Sequence, residues 1–432
     1  MIQKNIYIGE NLYTVSKKEE SNLNLFWYGF LVYLLFFVLA STESPWLTAA
    51  NCQAVQILGF IAMLIGAFGA MRYKFDSKYL ETLFTINLLY SVTIVLRGSE
   101  YDKESLKKMF LDVTLGILPY FASVVLLFTK NIGHYKKIFN VLLVLCVFFI
   151  LSVVVFYDTL HDYDRLNLLS QGLVELFTIM LALPVGFILL NYLYHAGKKQ
   201  MLGLGMKNII AGAVMLLALF FAIFRARRGL IFMCVSSLLC VGMIYVISTK
   251  NKMLIIFLSV ILVAVGSVSM SNIKLPSMFN FLLDRGDEDT RTGVEVYMYN
   301  DMSVNDWIIG KGIKGSYYCP VVDNVNDAEG SGYRDNIETG YLQIILKGGI
   351  ISLALLLLMF IPAVYKGFFK SKNVLSKSAA MWIFLWIVYL IPAGGIVFNM
   401  NYLLVWISVG ICYSEKIGNM SDSTIKSYLL DK

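Results

Sequence analysis

Apolar residues in this chain run in long blocks instead of alternating with polar ones. Charged or polar interruptions separate the blocks 25–40, 52–71, 79–96, 109–129, 138–157, 171–194, 208–224, 229–248, 253–271, 341–365, 379–397 and 399–413. About 20 apolar residues cross a bilayer as one helix, the only single segment that satisfies its own backbone hydrogen bonds in hydrocarbon. The pattern therefore predicts an all-α integral membrane protein with about twelve transmembrane helices. Pro392 and Gly395 blur the break between the last two. Residues 1–24 and 414–432 read as polar tails, 25–271 as spans one to nine and 341–413 as spans ten to twelve. Between spans nine and ten lies one large polar loop, 272–340, on the external side.

Composition sharpens the class. Hydrophobic residues make up 58% and charged residues 15%, against about 25% charged in a soluble domain. A soluble multidomain enzyme and a small disulfide scaffold are excluded. The net charge of +7 is modest, and fits cytoplasmic loops facing anionic lipid better than nucleic-acid binding. With the N-terminus placed inside, 21 Lys and Arg fall on the cytoplasmic side and 14 outside, so both termini are expected in the cytoplasm. The polar, mixed-charge segment 1–24 does not read as a cleavable signal peptide, and the first span is expected to direct insertion. Cys146, Cys234, Cys240 and Cys412 lie in apolar blocks. Cys52 and Cys319 are the only pair able to meet outside the membrane, and the sequence does not join them.

Candidate chemistry gathers on the external side. Arg225, Arg227 and Arg228 crowd a turn between two apolar blocks, where arginine is costly. They read either as an anion site or as a solvated helix-end cluster touching headgroups. Asp287, Glu288 and Asp289 read as a cation site or a solvated acidic turn, and lack calcium-loop spacing. Gly310-Lys311-Gly312 reads as a phosphate cradle or a tight turn. Glu338 opens the apolar run 339–365. It reads either as a partly desolvated carboxylate suited to proton transfer or as a helix-dipole partner. His134, His161 and His195 are far apart, so no metal is expected.

Two stretches together resemble a known family. Trp307 to Gly315, followed after a variable segment by Glu338 to Gly349, is similar to the signature of the bacterial O-antigen polymerase and ligase family. Tyr341, Leu342 and Gly349 keep the family register, with Glu338 and Thr339 where ligase-like members carry His and Asn. Arg291 matches an arginine upstream of the Gly-x-Gly turn, and Arg227-Arg228-Gly229 matches a Ser-Arg-Gly element. The missing His favours the polymerase branch.

That resemblance implies a C-type glycosyltransferase-like fold in the bacterial cytoplasmic (inner) membrane. It implies inverting glycosyl transfer at the outer face, from one undecaprenyl-pyrophosphate-linked glycan to a sugar hydroxyl of a second, building O-antigen, capsular or exopolysaccharide. Arginine suits the departing pyrophosphate, since its planar fork binds phosphate oxygens in pairs. Arg228 and Arg291 are the leading catalytic candidates, with Glu338 as base. Arg225, Arg227, Gly310, Gly312, Arg334, Asp335 and Tyr341 are candidates for substrate binding. Tyr317, Tyr318, Tyr333 and Trp307 read as sugar-stacking or as ordinary packing. No cofactor is expected; a flippase and a chain-length regulator are expected partners. The alternatives are an O-antigen ligase acting on lipid A-core, and a transporter of lipid-linked oligosaccharide. The transporter should show half-repeats or interrupted helices in matching positions, and none is visible in the sequence.

Overall fold

The computed structural model describes residues 16–42, 48–98, 103–128, 132–161, 167–191, 205–248, 290–320, 332–392 and 395–425. The expected ninth span, 253–271, and the acidic run Asp287 to Asp289 lie outside the described residues. The helices in order are α1 (Lys17–Ala40), α2 (Ala49–Ala70), α3 (Lys78–Leu96), α4 (Lys103–Leu111), α5 (Leu118–Phe121) and α6 (Ile132–Val155). Next come α7 (Tyr157–Leu160), α8 (Leu168–Phe177), α9 (Gly186–Leu190), α10 (Gly205–Phe224) and α11 (Arg228–Ser248). Then follow α12 (Thr290–Asp301), α13 (Val304–Ile309), the two-residue strands β1 (Tyr317–Tyr318) and β2 (Tyr333–Arg334), and α14 (Gly340–Tyr365). Last are α15 (Val374–Tyr389), α16 (Met400–Tyr413) and α17 (Glu415–Gly418). Among the described residues seven helical spans are long and apolar enough to cross a bilayer, and the chain is an all-α membrane protein.

The chain divides into two compact units, one of residues 1–145 with 294–432 and one of 146–293. In the first, α1 and α2 form a hairpin held at backbone contact by glycines. A Cβ on Gly66 would lie 2.3 Å from the Phe26 nitrogen, and one on Gly59 2.6 Å from that of Tyr33. Small residues at such spacing let helices associate where hydrophobic burial gives no drive between them. Leu58, Ile61, Ile65 and Phe68 remain exposed on α2, as suits a face turned to lipid.

Helices α3 and α14 run antiparallel, since Tyr79 Oη donates to the Leu358 carbonyl (2.9 Å) and Tyr90 Oη to that of Gly348 (2.8 Å). Contacts along the unit define two ends. At one, Arg72 pairs with Glu19, Lys137 Nζ lies 3.0 Å from Glu20, and Lys366 sits 5.0 Å from the Tyr413 ring centre. At the other lie Arg97, the loop following α13, and the start of α14, where the Tyr341 nitrogen donates to the Leu390 carbonyl (3.2 Å).

Three expectations change. Block 109–129 is not one helix: Asp112 Oδ1 accepts from the nitrogens of Thr114 (2.7 Å) and Leu115 (2.9 Å), ending α4 in a turn. Pro119 then starts a fresh helical run, Leu118–Leu127, too short to span alone. Block 379–397 ends as a helix at Tyr389, because Pro392 follows and Asn399 caps α16 through the Tyr402 nitrogen (3.0 Å). Interrupted helices do occur. In the second unit α8 passes through a wide π-turn, Thr178–Ala182, and a tight 3-10 turn, Leu183–Val185, into α9. Pro184, which has no N–H to donate, sits at that joint. In the first unit α14 breaks at Gly349, with φ 68° and ψ −179°.

Candidate functional site

The break in α14 organises the first unit's loop. Gly349 touches α13: a Cβ there would lie 2.1 Å from the Ile308 carbonyl oxygen. Gly310 (φ 74°) and Gly312 (φ 85°) carry the chain in left-handed turns past that break. The Lys311 nitrogen donates to the Leu346 carbonyl (2.8 Å) and the Gly312 nitrogen to that of Lys347 (2.9 Å). The backbone donors that a phosphate would need from Gly-Lys-Gly are thus engaged in docking the turn on α14. Arg97 clamps the same turn through Nη1 to Gly310 O (2.9 Å) and Nη2 to Ile309 O (2.7 Å). Buried Lys347 holds it from beneath, Nζ to Gly315 O at 2.9 Å. Beside it, Met298, Met302, Tyr317, Cys319, Ile337, Leu342 and their neighbours form the core under the loop.

Glu338 stands at the edge of this core. Its flanking residues Ile337 and Thr339 are buried, while Glu338, in the bend that leads into α14, is exposed. The partly desolvated state expected for it belongs instead to Glu295 on α12, a half-buried carboxylate that sequence reasoning passed over. Glu295 Oε1 accepts from the Thr339 hydroxyl, and Oε2 from Tyr299 Oη at 3.3 Å. Thr339, the N-cap of α14, consequently spends its hydroxyl on Glu295 and not on its own helix. Tyr341 lies beside the Tyr299 hydroxyl. The legible signal was spacing: positions 291, 295 and 299 repeat every four residues and share one face of α12. Arg291 is therefore one helical turn before Glu295.

Tyr317 is fully buried next to this corner. Burial pushes its phenol up to about 12, the carboxylates of Glu338 and Glu295 add to the rise, and Arg334 opposes it. Arg334 and Asp335 follow on β2 and the bend after it; Arg334 is half-buried and Asp335 exposed, its carbonyl accepting from Gln343 Nε2 at 3.4 Å. Tyr318 and Tyr333 face each other edge-on across β1 and β2, ring centres 5.6 Å apart.

The second unit carries the arginine turn. Helix α10 ends with the Arg227 nitrogen donating to Ala222 O (2.9 Å) and the Ala226 nitrogen to Ile223 O (2.9 Å). This paired closure places Ala226 at φ 50°, where glycine is usual. Arg225 turns inward, is buried, and bonds the Ser170 hydroxyl, with Thr159 O at 3.5 Å. Arg227 is ion-paired to Glu175. Arg228, the first residue of α11, is exposed. Ser170 and Glu175 were absent from the sequence reading because both lie near or within an apolar block assigned only to spanning.

The six cysteines, Cys52 and Cys319 included, are buried free thiols. Among the described residues no three His, Cys, Asp or Glu side chains gather as a metal site would require. His134 accepts from Trp27 Nε1 at 2.9 Å inside the first unit. Comparison of the chain with protein-family models, with curated proteins and with solved structures returns no match.

Proposed function

We propose that this protein polymerises lipid-linked glycan repeat units at the outer face of a bacterial cytoplasmic membrane. In this reading about twelve spans surround one long external loop, in the manner of a C-type glycosyltransferase. The observation that carries it is the position of the carboxylates. Glu338 and Glu295 lie where the loop enters α14, at the end of the first unit opposite Arg72, Lys137 and Lys366. By the charge rule, the latter end is cytoplasmic.

The chemistry divides by residue type. Glu338, exposed at the helix entrance, takes the proton of the acceptor hydroxyl. The freed oxygen attacks the anomeric carbon of the donor with inversion, and undecaprenyl pyrophosphate leaves. Positive charge for that leaving group is the part that the family resemblance gives to Arg228 and Arg291; within the second unit, Arg227 is ion-paired to Glu175. A transporter of the same lipid-linked substrate is the second reading, favoured by the interruption of α14 at Gly349. A ligase differs only in its acceptor.

The test is a polymer ladder. Purified protein in nanodiscs receives undecaprenyl-pyrophosphate repeat units extracted from the producing strain. Wild type is expected to yield lengthening lipid-linked glycans, and Arg228→Ala, Arg291→Ala and Glu338→Gln to lose at least about 100-fold in rate, the scale of one general base or charge-stabilising contact. Glycosylation of added lipid A-core without a ladder moves the answer to ligase. Movement of the lipid across vesicles with neither product moves it to transporter.

A further inference from the structure

Glu295 asks for an explanation that the proton-transfer step does not supply. Both of its oxygens are held by hydroxyl donors, Thr339 on one side and Tyr299 on the other. Hydrogen bonds from two different elements fix the orientation of the carboxylate on α12. They make it a well-oriented acceptor, because a carboxylate offers about four lone-pair positions and the described residues fill two of them. The Tyr299 ring stacks on Trp307 with centres 5.8 Å apart and planes 26° apart, and Tyr299 remains 41% exposed. Trp307 is braced from below by the core around Met298 and Tyr317. A fixed carboxylate beside a rigid, open aromatic pair is what a pyranose needs. The C–H face of the ring packs on the aromatic plane, while neighbouring hydroxyls donate to the carboxylate.

We propose that Glu295, Tyr299 and Trp307 form a sugar-binding subsite that receives a pyranose of the acceptor glycan, presenting its hydroxyl toward Glu338. This assignment rests on the glycan-polymerase reading for the identity of the sugar, and on the geometry alone for the site. Glu295 is then a positioning residue, and Tyr341, beside the Tyr299 hydroxyl, closes the same corner.

Ligand-observed NMR tests it with the protein in nanodiscs. The probe is the lipid-free oligosaccharide released by mild acid from the producing cells' own lipid-linked repeat units. Wild type is expected to saturate the sugar ring protons, and Glu295→Gln, Tyr299→Leu and Trp307→Ala each to weaken binding at least fivefold. Trp307 packs on the core, so if Trp307→Ala does not fold, the isosteric Glu295→Gln and the exposed Tyr299→Leu decide. No binding by wild type, or unchanged affinity in those two variants, overturns the subsite. The ladder assay separates the two proposals. Polymer formation with an unaltered acceptor KM in the variants removes the subsite and leaves the polymerase. Sugar binding lost in the variants, with no polymer from wild type, keeps the subsite and removes the polymerase.

Discussion

Ala226 occupies a backbone position that suits glycine better. Its φ of 50° closes α10, and an L residue there costs about 1–2 kcal/mol in steric conflict. Ala226→Gly is expected to stabilise the protein by about 1 kcal/mol, read as a higher unfolding temperature in detergent, with no loss of the Arg227–Glu175 pair. A lower melting temperature would mean the turn is held by something other than its backbone geometry. The same turn shows what single residues revealed in advance. Three arginines at a helix junction were visible as an anomaly, but the pairing of Arg225 with Ser170 and of Arg227 with Glu175 was not. Those partners are about 50 residues earlier in the chain, and only folding brings them to the junction. Glu295 escaped notice for a related reason: its meaning comes from Thr339, 44 residues further along the chain.

Among the elements, α14 is the one whose break matters most. Gly349 joins left-handed backbone with direct contact to the Ile308 carbonyl, so Gly349→Ala meets strain and a clash together, on the order of 3 kcal/mol. The expected outcome is early unfolding and faster proteolysis near residues 308–315. Gly172→Ala is the control: it sits inside α8 with open space around its Cβ, and should gain about 0.5–1 kcal/mol. Equal melting temperatures for the two variants would contradict the docking of α13 on the break. Hydropathy alone could not locate this break, since a Gly-Gly pair barely disturbs an apolar average. It failed over 109–129 for the converse reason: Asp112 and Pro119 end helices through hydrogen bonding, while the surrounding residues stay apolar. The glycines of the Gly-Lys-Gly turn and Gly349 were legible as separate signals. Their common cause, one contact between a loop and a broken helix, was not.

At the scale of the molecule, the two ends of the first unit should face opposite sides of the membrane. All six native cysteines are buried, so single added thiols report cleanly. Ser303→Cys, exposed beside the loop, should react with a membrane-impermeant maleimide in intact cells, and Ser421→Cys, exposed beyond α17, only after permeabilisation. The reverse pattern would invert the orientation and place the carboxylate corner in the cytoplasm. The sequence by itself determined the membrane class, most of the spanning blocks and the charge asymmetry. Those follow from residue composition summed over about 20 positions, which needs no knowledge of neighbours. Only tertiary structure decided which carboxylate is half-buried, which arginines are paired and where a spanning helix opens. Each of those depends on a contact between residues distant in the chain, and no local average contains it.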